Sequence, residues 1–126
     1  MKYFLYARKS EEDSNRQVPS LEDQIKELHT RYPDLDIVAT YQEAHTAKEP
    51  GRPLFNEMLE RIRTGEAQGI LVWNLNRLLG NSVDQGTIEW MLWRSQLLSI
   101  LTMDKEHTPA DTVLILNVEA GWTSPE

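Results

Sequence analysis

Ser10 lies two residues beyond Arg8 in the stretch K-Y-F-L-Y-A-R-K-S, residues 2–10. A serine hydroxyl beside a guanidinium suits nucleophilic attack on an anionic centre: the oxygen attacks, and the cation holds the charge that builds up. Further cations and small polar groups recur downstream, with Thr46, Lys48 and Arg52 in one polar stretch and Asn76 and Arg77 in another. Arginine suits phosphate because its planar fork donates two hydrogen bonds and stays charged. Where arginines supply that charge, a serine needs no metal to attack a phosphodiester. Alone, a serine after a strand is ordinarily a helix cap or turn residue, so the surrounding elements decide.

Those elements read as alternating strands and helices. Tyr3 to Ala7 form an apolar first strand. Ser20 caps a helix whose stripe is Leu21, Ile25, Leu28 and Tyr32, with Glu22 and Asp23 in its first turn and Pro33 at its end. Gln24 falls off that stripe and faces either solvent or the site. A second strand runs from Asp36 to Tyr41, and a loop from Gln42 to Gly51. Pro53 opens a helix with Leu54, Phe55, Met58, Leu59 and Ile62 inward, and Gly65 closes it. Gly69 to Trp73 make a short central strand. After Asn74–Asn81, Ser82 and Gln85 read as a capping box for a helix burying Ile88, Met91 and Leu92. Leu97 to Met103 form a fourth strand, Asp104 to Ala110 a polar connection, and Asp111 caps a last helix through Val118, with a strand as its competitor. The fold class is α/β: a three-layer sandwich around a mainly parallel sheet of four to five strands. Parallel strands bring their carboxyl ends to one edge, which gathers Arg8, Lys9, Ser10, Thr46, Lys48, Arg52, Asn76 and Arg77.

The chain's 126 residues suffice for one domain with a core, and no apolar run is long enough to span a membrane. The start lacks a signal-like apolar segment, so the expected setting is the cytoplasm. The absence of cysteine excludes disulfides, thiolate chemistry and Cys-based zinc sites. His29, His45 and His107 show no metal-ligand spacing, and Glu11, Glu12 and Asp13 read as solvated carboxylates rather than a magnesium site. His45, whose imidazole is a candidate base, reads as an exposed loop residue. There is no phosphate loop of the G-x-x-x-x-G-K-S/T kind and no G-x-S-x-G elbow. No cofactor and no metal are expected. A net charge of -7 argues against strong autonomous DNA binding, because phosphate neutralisation supplies most of such affinity.

Four ordered blocks resemble the serine recombinases, the resolvases, invertases and large phage-type integrases. They are Y-A-R-K-S (residues 6–10), S-L-E-D-Q (20–24), T-A-K-E-P-G-R-P-L-F-N-E-M-L (46–59) and G-I-L-V-W-N-L-N-R-L (69–78). The A-K-x-P-G-R-P wording is similar to the large integrases. The resemblance implies a resolvase-like fold and site-specific DNA recombination. Ser10 would attack a DNA phosphate, form a 5′-phosphoserine link and release a 3′ hydroxyl. Reversal after subunit rotation in a tetramer would reseal the strands, with neither ATP nor metal. It implies phosphate-holding roles for Arg8, Arg52 and Arg77, and supporting roles for Tyr6, Gln24, Thr46 and Asn76. The implied partners are DNA, held weakly by this domain alone, and further copies of the chain as dimer or tetramer, with no membrane. A flavodoxin-like ligand-binding domain shares the layered pattern but calls for a glycine-rich phosphate-gripping loop after the first strand, which is missing here.

Two departures matter. The family's D-R-x-x-R reads Asn76-Arg77-Leu78-Leu79-Gly80, so a carboxylate and a second guanidinium are replaced. Losing one charged stabiliser of a transition state costs about a hundredfold to a thousandfold in rate. The expectation is impaired activity, with a catalytically dead remnant that only pairs with other subunits as the alternative; Lys9 or Lys48 are the candidate substitutes for the lost charge. The family's long dimerisation helix would start near Asp111 and break off around Trp122 to Pro125. Residues 1–126 are therefore read as one catalytic domain truncated at or within that helix, with the DNA-binding domain absent.

Overall fold

The computed structural model describes residues 1–13 and 17–111. The alternating pattern forms β1 (Lys2–Arg8), α1 (Leu21–Arg31), β2 (Asp36–Glu43), α2 (Pro53–Arg63) and β3 (Gly69–Val72). A single helical turn, α3 (Leu75–Leu78), then leads to α4 (Ser82–Trp93), β4 (Ser99–Leu101) and the two-residue β5 (Glu106–His107). The sheet order is β2-β1-β3-β4-β5, with β5 alone antiparallel. No helix among the described residues is long and apolar enough to cross a membrane. The last helix expected from Asp111 lies outside the described residues, and Asp111 itself closes a 3-10 turn, Pro109–Asp111.

The two faces of β1 separate at a period of two. Tyr3, Leu5 and Ala7 pack with Leu28 on the α1 side. Phe4 and Tyr6 pack with Phe55, Met58, Ile88 and Met91 on the α2 and α4 side. Ile70 and Val72 join the second set and Leu71 the first, so β1 and β3 are buried on both faces. This is the three-layer sandwich expected from the sequence.

The ends of the elements differ from the sequence reading in instructive ways. Ser20 caps α1 by accepting from the Asp23 amide, and Gly65, at φ +89°, turns the chain out of α2. At α4 the cap is Asn81, whose side chain accepts from the Asp84 amide, so Ser82 is the first helical residue rather than the cap. The stretch read as a polar connection contributes β5. Strand β2 runs two residues past Tyr41, and Glu43, at 2 % exposure, continues its inward alternation.

Glu43 performs a cap that α2 lacks. The N-cap residue Arg52 makes no side-chain cap bond. Instead Glu43 Oε2 accepts from the Leu54 amide at 2.9 Å and Oε1 from the Phe55 amide at 3.0 Å. Oε1 also accepts from the Tyr6 hydroxyl at 2.6 Å. Burial pushes Tyr6 well above the ordinary phenol range, so it stays a neutral donor to that carboxylate. Glu43→Ala is expected to leave three donors without partners, each costing about 1–3 kcal/mol. Urea denaturation should show a loss of about 3 kcal/mol or more in unfolding free energy; a loss below about 1 kcal/mol would contradict this capping role.

Candidate active site at the carboxyl edge of the sheet

The strand order reverses between β1 and β3, which places a topological switch point where β1 ends. In open α/β sheets that crevice is the usual ligand site. Arg8 is the last residue of β1, Ser10 follows it, and Arg77 lies on α3 just after β3. The elements thus bring these three together as the sequence predicted.

Gln24 fixes the end of β1. Its side chain accepts from the Arg8 amide at 3.3 Å and donates to the Arg8 carbonyl at 3.0 Å and the Pro19 carbonyl at 3.1 Å. It is fully buried, so of its two sequence readings the site-facing one holds. The Arg8 guanidinium donates to three backbone carbonyls: Arg77 at 2.9 Å, Asn76 at 2.9 Å and His45 at 3.2 Å. Carbonyls orient a guanidinium without cancelling its charge. Burial, and then the nearby Arg77 charge, pull the Arg8 pKa down. His45 is half-buried rather than exposed, with Nδ1 3.0 Å from the Thr46 carbonyl oxygen.

The 3-10 turn Glu11–Asp13 is the feature that sequence reasoning misjudged. Asp13 is no idle solvated carboxylate. Arg77 grips it with both arms of its fork, Nη1 to Oδ2 at 2.8 Å and Nη2 to Oδ1 at 3.2 Å. The same Oδ2 accepts from the Ser10 amide at 3.0 Å and lies 3.8 Å from Arg8 Nη1. The Ser10 hydroxyl has one proton and two acceptors in reach, Glu12 Oε1 at 2.7 Å and Asp13 Oδ2 at 3.1 Å. The hydrogen bond from Arg77 leads the causes that hold the Asp13 carboxyl far below the usual carboxylate range. Glu12 is also lowered, by hydrogen bonds from Ser10 and then Thr46.

Arg52 makes its described contacts with segments other than that of Ser10. It is fully buried, and its fork donates to the Leu78 carbonyl at 2.7 Å, Asp84 at 3.1 Å and the Arg77 carbonyl at 3.3 Å. Its guanidinium lies 3.7 Å from the centre of the Phe55 ring and 3.4 Å from the Tyr6 hydroxyl. Tyr6 and Arg52 therefore stand beneath the site, holding up α3. Asn76 is exposed and contributes its backbone carbonyl to the Arg8 network. Lys9 Nζ donates to the Val18 carbonyl at 3.0 Å, while Lys48 is exposed beside Thr46, whose hydroxyl accepts from its amide at 3.1 Å.

Gly80 is closely packed. A Cβ there would collide with the Ala47 carbonyl oxygen and sit 2.5 Å from the Ala47 Cβ. The loop after β2 thus lies on the place where a side chain at position 80 would begin. The residues that sequence reasoning missed are Glu43, Asp84 and the carboxylates of the 3-10 turn. The inward alternation Tyr41, Glu43 was a usable signal for the first; the others depend on contacts between distant segments.

Two outcomes are expected. Gly80→Ala should lower stability by about 1–3 kcal/mol in chemical denaturation through overpacking against Ala47; an unchanged midpoint would contradict the close contact. Asp13→Asn should be less stable than the unaltered chain at neutral pH. A depressed folded pKa stabilises fully above the unfolded carboxyl value of about 3.9. That contribution is lost as pH falls from there through the folded value. The difference between the two proteins should therefore shrink as pH falls below about 4; a gap that widens on acidification would contradict the Arg77 pairing.

The Resolvase family model, described as the resolvase N-terminal domain, matches residues 3–121. The fold is similar to the crystal structure of the N-terminal catalytic domain of TP901-1 integrase. The TM-score is 0.71 at 17 % identity, over 96 % of this chain and 93 % of that one. It is also similar to the C-terminal catalytic domain of ISC1926 TnpA, an IS607-like serine recombinase. There the TM-score is 0.64 at 17 % identity, over 82 % and 70 % of the two chains. A third neighbour is the first open reading frame of transposon ISC1904 from Sulfolobus solfataricus P2, with a TM-score of 0.61 at 20 % identity over 95 % and 77 %. No curated protein matches the chain. With the family model spanning nearly all of its length, the chain belongs to the resolvase N-terminal domain family.

Proposed function

We propose that this domain cleaves and rejoins DNA in site-specific recombination, with Ser10 as nucleophile and a 5′-phosphoserine intermediate. Family membership supports site-specific recombination in general. The observation that carries the finer reading is the anionic group shared by Ser10 and Arg77: one carboxylate receives the fork of Arg77 and the amide of Ser10, and lies 3.1 Å from the Ser10 hydroxyl. A DNA phosphate in place of the Asp13 carboxylate would meet the nucleophile and a bidentate cation together, with Arg8 close behind. In this reading Arg77 holds the phosphate directly. Arg8 adds charge while fixing α3, and Arg52, Tyr6 and Gln24 hold the frame. Thr46 and Asn76 border the opening. DNA is the partner and further copies of the chain complete the assembly.

A second reading, a subunit that pairs without cutting, is favoured by Gly80, since the loop packed on it leaves no room there for another guanidinium. For the same reason an arginine restored at position 80 is a poor rescue.

The test is to fuse the full chain to the DNA-binding domain of a relative whose site is known, and to seek a covalent adduct on a suicide substrate. An adduct is expected from the unaltered chain, none from Ser10→Ala, and about a hundredfold to a thousandfold slower formation from Arg77→Ala. If the relative's own catalytic domain reacts in the same fusion and this chain does not, the non-cutting reading holds.

A further inference from the structure

We propose that Glu12 is the general base that takes the proton from Ser10. This assignment rests on the reading of Ser10 as a nucleophile and names the group that activates it. Its basis is a contact: Glu12 Oε1 is 2.7 Å from Ser10 Oγ, the shorter of the two carboxylate contacts to that hydroxyl. A general base must reach the proton it removes, at about 2.6–3.2 Å between heavy atoms.

The alternatives are poorer bases or lie elsewhere. Asp13 is held by both arms of Arg77 and by the Ser10 amide. Protonating it would break that pairing, and its proton affinity is strongly suppressed for the same reason. It is moreover the group that a substrate phosphate would displace. Asn76 carries an amide, which is not basic. The described contacts of His45 run to the Thr46 carbonyl and, through its own backbone carbonyl, to Arg8. Glu12, by contrast, is exposed, so it can receive a proton and pass it to water.

Its surroundings keep a carboxylate in place beside an incoming anion. After the hydroxyl of Ser10, that of Thr46 and then the charge of Lys48, both on the loop after β2, lower its pKa. Asp13 opposes it from the same turn. Arg77 of α3 and Arg8 of β1 reach Asp13 rather than Glu12. Glu11 precedes it in the turn and is exposed.

In the step itself the Ser10 proton passes to Glu12 Oε1 as Oγ bonds to phosphorus. The bond from phosphorus to the 3′ oxygen breaks, and that oxygen leaves with the electron pair and takes a proton from water. Glu12 then releases its proton to water. Charge and protons balance, and no other reactant is needed.

The test uses the full chain and a fluorophosphonate probe, whose phosphorus accepts Oγ while fluoride leaves, so no DNA has to be held. Labelling at Ser10 is followed by mass spectrometry across pH, with Ser10→Ala as the blank. The unaltered chain should label with a rate that falls on acidification through the carboxylate range. Glu12→Gln should label about a hundredfold more slowly and lose that acid limb. Glu12→Asp should retain the limb, and Asp13→Asn should keep it too. Equal rates and equal pH profiles for Glu12→Gln and the unaltered chain would overturn the assignment. So would a loss of the limb in Asp13→Asn alone, or an unaltered chain that does not label. The DNA adduct assay decides the recombination reading separately.

Discussion

A fully buried guanidinium, that of Arg52, ties together the segments that carry the site. It enters from the N-terminus of α2 and ends on the carbonyls of Arg77 and Leu78 in α3 and on Asp84 in α4. Taking such an ion pair out of water costs several kcal/mol per charge unless the remaining hydrogen bonds are met. Here two carbonyls, a carboxylate, a phenol oxygen and the Phe55 ring face it, while its Nε finds no hydrogen-bond partner. The arrangement defines one position for the short helix α3 relative to the sheet. Arg77 stands on that helix, so the direction in which its fork points depends on a residue that does not touch the site.

The second tier of arginine contacts builds on the first. Arg8 donates to the Arg77 and Asn76 carbonyls, and Arg77 returns a bond to the Arg8 carbonyl at 3.1 Å. The two residues thus cross-brace β1 and α3 through their backbones. Their guanidiniums are oriented mostly by neutral acceptors, and the one carboxylate between them is Asp13. In a chain of net charge -7, this edge of the sheet holds two buried guanidiniums that share one carboxylate. Such a site favours an anion at close range while the molecule as a whole does not draw in polyanions.

The layers were legible in the sequence because they follow from period. Apolar runs in β1 and β3, the stripe of α1 and the face of α2 each declare their own partners. Ser20 was legible as a cap because the amide that donates to it, that of Asp23, lies three residues away. At α4 two residues competed for the cap, Asn81 and Ser82, and local chemistry does not separate them. Asn81 is selected from outside the helix, since its Nδ2 also donates to the Ala47 carbonyl at 3.1 Å. The meeting of Arg8, Ser10 and Arg77 around one carboxylate was legible in the sequence, but not the contacts that each arginine makes. Whether an arginine ends on the Asp13 carboxylate or among buried carbonyls depends on tertiary placement, and Arg52 and Arg77 carry the same chemistry in sequence. The acidic turn misled for a related reason: consecutive carboxylates look solvated until a fork from 64 residues away grips one of them.

Gly80 shows why the altered arginine motif cannot be weighed one residue at a time. Without a side chain there, Ala47 rests on the link between α3 and α4. That contact lets Asn81 hold the Ala47 carbonyl while its Oδ1 caps the Asp84 amide at 2.8 Å. Asp84 in turn receives Arg52. The same loop carries Thr46 and Lys48, which favour the charged form of Glu12. An arginine at position 80 would have to displace Ala47, and with it would disturb the cap that steadies Asp84. Glycine at position 80, the seating of the Ala47 loop and the cap at Asp84 are therefore a single structural arrangement.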